Sequence, residues 1–384
     1  MFVRHFLQWI ESAPAGERAE ATSALARAFL YSPLDPADRA AAEAAMTVLL
    51  DDPSPLVREA LAIALAASRQ APPAIIHALA HDQGDIAAIV LAQSPLLSEP
   101  ELVDVIGGGD WRAQCAVACR FAVPATLSGA IAEVGGADAC VALLQNPGAV
   151  LTPGVLMRIV ERHGADADVR NELLAREDLP IGVRQAVVAA LSASLSSFVS
   201  GSGWLGADRN QRVTTEAREK ATVIIAGRAG PDEMRGLVRH LRRTGQLTAA
   251  LVLRALLSGN VVLFEEALAE LSGLPVGRVS GLVHSSRLGG FEAVYRRAGL
   301  PPAALPAFRA ALEALAEQGF VDSLAGDARL SRRMTERVLT SIGALPQEEV
   351  GPLLLMLRRF AAEAARDEAR AVAEDLARDV LLAA

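Results

Sequence analysis

Three aspartates, Asp82, Asp110 and Asp138, recur 28 residues apart. A period of that length holds two short helices and two tight turns, and it constrains the fold more than any other feature of the chain. Prolines keep a similar beat: Pro72, Pro100, Pro124 and Pro153 are separated by 28, 24 and 29 residues. Proline fits the first helical turn, where its missing N–H costs nothing. These prolines therefore open short helices expected at 72–81, 98–106, 124–134 and 153–163. In the turns at 107–110, 135–138 and 164–166, glycine stands where a helix must end and aspartate where the next must be capped.

A helix pair of this size cannot bury its apolar face alone, so successive pairs must stack and share a core. The expected fold class is all-α, a HEAT/ARM-like α-solenoid of short helix pairs with a helical C-terminal region. Composition agrees, since 52% of residues are hydrophobic but only 4% aromatic, which favours closely approaching Ala- and Leu-rich helices over sheets. Segments 56–65, 111–119 and 183–191 align on a shared pattern: an aromatic or aliphatic residue, Arg, two residues, then an apolar helix. That alignment sets Cys115 and Cys119 opposite Leu61 and Leu65, as buried small hydrophobes.

Residues 85–98, 101–106, 141–149, 257–264 and 267–275 together resemble an uncharacterised bacterial family of HEAT-like repeat proteins common in alphaproteobacteria. The likeness covers roughly residues 40–300. It implies the same fold and brings no catalytic residues with it.

Three regions are expected: a HEAT-like solenoid over 1–199, a linker or loop over 200–215, and a C-terminal helical region over 216–384, either continued solenoid or a second domain. The middle stretch is rich in Gly, Ser, Asn and Arg and has no apolar period. Near the end, Leu353, Leu357, Phe360, Ala364, Val372, Leu376 and Val380 fall at near-helical spacing, which predicts a long amphipathic helix.

The charge balance, 37 basic against 45 acidic residues, gives −8 and disfavours non-specific nucleic-acid binding. Three cysteines are too few to brace 384 residues, and no run of eighteen apolar residues marks a membrane span, so a cytoplasmic location without membrane insertion is expected. Only one lysine, Lys220, is present, so chemistry that needs a lysine has a single candidate.

Enzyme templates fail: there is no G-x-S-x-G elbow, and Lys220 follows Glu219 rather than the glycine of a phosphate-binding loop. Gly201, Gly203 and Gly206 match G-x-G-x-x-G but lack the preceding strand, leaving a loop on which Trp204 is a candidate contact residue. His77 and His81 share a helix face without the glutamate a zinc protease needs, so no metal and no cofactor is expected.

One cationic cluster stands out. Arg235, Arg239, Arg242 and Arg243 fall within a hundred-degree arc of one helix, with Arg228 and Arg254 placed to widen it. Guanidinium groups suit bidentate capture of carboxylate or phosphate. The expected function is a non-enzymatic scaffold or adaptor that binds a protein or acidic peptide there. Two alternatives belong to other classes: a HEAT-like nucleic-acid-binding protein or DNA-lesion glycosylase, against which net acidity argues, and a sensor of a small phosphorylated ligand.

Overall fold

The computed structural model describes residues 9–10, 12–202, 206–285, 288–317, 328–343 and 347–383. Among them lie 21 α-helices, one short 3-10 turn and no strand; an isolated bridge joins Val123 to Ala149. The chain forms two compact units, Met1–Glu177 and Asp178–Ala384.

The first unit contains α1 (Ala15–Tyr31), α2 (Pro36–Leu49), α3 (Pro55–Leu65), α4 (Pro73–Ala80), α5 (Gly84–Gln93), α6 (Glu99–Gly107), α7 (Trp111–Ala118), α8 (Ala125–Val134), α9 (Ala137–Gln145), α10 (Pro153–His163) and α11 (Ala167–Ala175). Each odd-numbered helix packs on the next odd-numbered one, from α1 through α11, while α6, α8 and α10 pack in succession. The four helices expected to open on Pro72, Pro100, Pro124 and Pro153 are α4, α6, α8 and α10. Pro72 and Pro124 sit at the N-caps, and Pro100 and Pro153 in the first turns. Asp110 and Asp166 cap as expected, accepting from the amides of Arg112 and of Asp168 and Val169. Asp138 lies inside the first turn of α9 instead, and Gly136 is the N-cap.

The fourth residue of every odd helix in this unit but α5, which has Ala87 there, does the same work. Arg18, Arg58, Gln114, Cys140 and Arg170 each reach back to a carbonyl of the preceding turn: Ala13, Asp52, Ile106, Ile131 and Gly164. Arg18 and Arg58 also reach forward, each gripping a carboxylate bidentately, Asp52 at 2.9 and 2.8 Å and Asp82 at 2.7 and 3.1 Å. Gln114 replaces that ion pair with a neutral hydrogen bond, its Oε1 accepting from Gly136 N at 3.0 Å.

The sequence alignment is therefore corrected by two residues, because Gln114 rather than Arg112 stands opposite Arg58. Asp110 starts α7 late enough that Trp111 and Arg112 occupy its first turn and face outward, Trp111 being 55% exposed. The cysteine reading changes with it. Cys119 is the C-cap of α7 and exposed, Cys115 is half-buried, and only Cys140 is buried. Burial pushes the Cys140 thiol up to about 11.

The turns that follow α5, α7 and α9 are tied to one another. Arg120 donates to the carbonyls of Leu91 and Ser94, and Asn146 Nδ2 donates to those of Ala118 and Arg120 at 2.7 Å. Gly148 makes this approach possible, since a Cβ there would stand 2.0 Å from the Phe121 carbonyl oxygen.

The second unit begins with α12 (Ile181–Gly201) and α13 (Ala207–Ala226). The expected linker over 200–215 is thus largely helix: α12 runs to Gly201 and α13 starts at Ala207. Most of the first two turns of α13 is exposed, so no apolar period marks them. Asn210 turns inward and donates to Ser196 O at 2.8 Å and Ser200 Oγ at 2.7 Å, joining the two helices. Trp204 lies outside the described residues. By length and composition α12 is the one helix among those described that could cross a membrane, and here it packs on α13 and on α14 (Pro231–Arg243).

The unit continues with α15 (Ala249–Leu257), α16 (Val261–Ser272), α17 (Val276–Val283), α18 (Leu288–Arg297), α19 (Leu305–Glu317), α20 (Ala328–Gly343) and α21 (Gln347–Ala383). Its core centres on Phe264, Phe291, Tyr295 and Phe308, with ring centroids 5.2 to 6.4 Å apart. The expected long terminal helix is present, and it buries Leu353, Leu357 and Phe360 in this core; Ala364 is buried as well, whereas Val372 is exposed.

Candidate functional site

The arginine helix is α14. Met234, Leu237, Val238 and Leu241 are buried, which turns Arg235, Arg239, Arg242 and Arg243 outward together. Arg228, in the turn before it, is also exposed. Neighbouring α16 neutralises part of the face. Arg235 pairs with Glu266 at 3.4 Å, and Arg242 with Glu270 at 3.0 Å and with the Glu270 carbonyl. Arg228, Arg239 and Arg243 have no acid within ion-pair distance among the described residues. Arg239 donates instead to the Arg235 carbonyl, and Arg243 lies 3.5 Å from His240 Nδ1.

Arg254 does not widen this face, and its expected place there is corrected. It sits in the middle of α15, in a wholly buried stretch from Leu251 to Leu257, with its side chain 7% exposed. Its guanidinium stacks 4.0 Å from the Phe360 ring centroid and donates through Nη1 to Glu363 Oε2 at 2.8 Å. Nε stands 3.8 Å from Glu219 Oε2, and neither Nε nor Nη2 has a hydrogen-bond partner. Burial raises the Glu219 carboxyl above its usual range, against the opposing pull of the Thr248 hydroxyl and the Arg254 charge.

Arg254 also lines a cleft of about 440 Å³ formed by α13, α15, α20 and α21, which sequence reasoning missed. Lys220 is there, donating to both oxygens of Asp367 at 2.8 and 2.6 Å, with Glu363 Oε1 at 3.3 Å. The ammonium is thus held between two carboxylates. Val223, Leu257, Phe360 and Ala364 supply apolar walls, and Ser258, Ser331 and Thr335 hydroxyls. The lone lysine was the available signal. Its partners, 143 and 147 residues away in sequence, were not visible.

Both histidines of the pair have partners within the protein. His77 Nδ1 lies 3.1 Å from Glu101, His81 Nδ1 lies 2.8 Å from the His77 carbonyl, and no metal-binding group of three or more His, Cys, Asp or Glu occurs among the described residues.

A family model described as an uncharacterised protein conserved in bacteria (DUF2336) matches residues 86–346. The chain belongs to that family. The DUF2336 match begins in α5, 46 residues later than the resemblance suggested, and extends past α20. It includes the whole arginine face, Lys220 and Arg254, whereas Phe360, Glu363 and Asp367 follow it. No curated protein and no solved structure matches significantly.

Proposed function

We propose that this DUF2336 protein is a cytoplasmic scaffold of HEAT/ARM-like α-solenoid build, whose α14 face binds an acidic segment of a protein partner. The odd-to-odd and even-to-even helix packing in the first unit supports the solenoid reading, because it is how stacked helix pairs share a core. The single observation that carries the binding reading is the set of Arg228, Arg239 and Arg243, exposed guanidiniums without an internal acid. Planar forks of this kind donate to carboxylates bidentately and lose less entropy per hydrogen bond than lysines.

The acids interleaved on this surface, Asp232, Glu266 and Glu270, argue against a duplex-gripping groove, which needs uninterrupted cationic charge along the phosphates. An acidic peptide can instead place its carboxylates between them. The reading is tested with the triple variant Arg228→Glu, Arg239→Glu, Arg243→Glu, which leaves the two internal pairs of α14 intact. Affinity capture from native bacterial lysate should recover an acidic partner with the wild-type chain and lose it with the variant. Equal recovery by both removes this face from the function.

A further inference from the structure

The cleft on α13, α15, α20 and α21 is separate from the arginine face, and its chemistry suits a ligand rather than a protein surface. At about 440 Å³ it falls within the range of small-molecule sites. Its wall carries three cations, Lys220, Arg254 and Arg370, against two acids, Glu363 and Asp367, and a third acid, Glu219, stands behind Arg254. The remainder is largely apolar, from Val223 and Leu257 on one side to Phe360 and Ala364 on the other.

Arg254 adds a second, independent observation. It is more than nine-tenths buried, yet two of its nitrogens meet no acceptor. Buried guanidinium donors are rarely left unpaired, because their lost hydration is then uncompensated. The edge left open, Nε with Nη2, is the same edge with which Arg18 and Arg58 grip Asp52 and Asp82 in this chain. Glu219 lies beside that edge but remains 3.8 Å from Nε, its other oxygen accepting from Thr248.

We propose that this cleft binds a small carboxylate carried on an apolar body, such as a medium-chain or aromatic acid. The carboxylate takes the donors that Arg254 leaves without an acceptor, beside Arg370, and the body lies against Leu257 and Phe360. A simple cation cannot satisfy the unmet Arg254 donors, and a free inorganic anion leaves the apolar walls unused.

Benzoate and hexanoate are the probes, with benzamide and hexylamine as partners of matched shape and different charge, each added to the full chain at about 10 mM in a thermal-shift assay and then titrated by calorimetry. A carboxylate should raise the melting temperature while its amide and amine counterparts leave it unchanged. Arg370→Gln, at a well-exposed position, should weaken carboxylate binding about tenfold, the loss expected for one charge-assisted contact. Lys220→Met should weaken it further. Because Lys220 also ties α13 to α21, Arg370→Gln decides the matter should Lys220→Met fail to fold. The proposal is overturned if no carboxylate shifts the melt, if benzamide binds as tightly as benzoate, or if Arg370→Gln leaves affinity unchanged.

Discussion

Replacing Arg58 by Met tests whether the first unit is held in register by side chains that bridge successive turns. Arg58 and Asp82 are 16% and 15% exposed at the side chain, so their two contacts at 2.7 and 3.1 Å are mostly, but not wholly, shielded from water. Breaking a fully buried pair by removing one partner costs about 3–5 kcal/mol, and an exposed pair is worth under about 1 kcal/mol. The partial screening here places the pair at about 2 kcal/mol. Arg58 also donates to the Asp52 carbonyl at 2.6 Å, which adds about 1 kcal/mol. Arg58→Met should therefore destabilise the unit by about 3 kcal/mol, Asp82→Asn by about 2 kcal/mol, and the double variant by little more than Arg58→Met alone.

Native-state hydrogen exchange read by mass spectrometry on α3 and α4 peptides reports this local stability in the full chain. Acid adds a check of sign. Burial alone would raise the Asp82 carboxyl, but the Arg58 hydrogen bonds, the Gln83 amide and the Arg58 charge hold it below the usual range. A depressed carboxylate contributes stability that is complete above its unfolded value, about 3.9, and lost as pH falls through the folded one. The gap between wild type and Asp82→Asn should stay constant near neutrality and close only below about pH 4. A coupling energy under about 0.5 kcal/mol, or a gap that closes near neutrality, refutes the bridging role.

Other outcomes follow from the same geometry. Gly148→Ala must push the backbone away from the Phe121 carbonyl, separating the Val123 and Ala149 bridge; it should cost about 1–3 kcal/mol and speed exchange at the Val123 and Val150 amides. A thiol reagent at pH 8 should label exposed Cys119 first and spare Cys140, which is buried and has its thiol raised to about 11, until the unit unfolds. Tyr295→Phe removes the bond to the Pro301 carbonyl at 2.7 Å and should lower thermal stability by about 1 kcal/mol without changing the helix content seen by circular dichroism.

What was legible in the sequence was local. Proline and aspartate spacing marks helix starts because capping depends on a few adjacent residues, and four short helices appear where those residues stand. The arginine face was equally readable, since one amphipathic helix decides which of its side chains point outward. Register was harder. Arg112 resembles Arg58 in sequence, but Asp110 sets where α7 begins, and that choice hands the bridging role to Gln114. Residues 207–215 look like a loop because a mostly solvated helical turn carries no apolar signal. Arg254 and Lys220 depend on α21, more than a hundred residues onward, and contacts at that separation leave no trace in a single sequence.

The most direct test of the functional account is the fluorescence anisotropy of a labelled glutamate-rich peptide titrated with the full chain at low and at physiological salt. The account predicts binding by the wild-type chain that weakens as salt rises, and its loss in the Arg228→Glu, Arg239→Glu, Arg243→Glu variant with the fold intact. Binding of equal strength by the wild type and the variant, or none by the wild type at low salt, contradicts it.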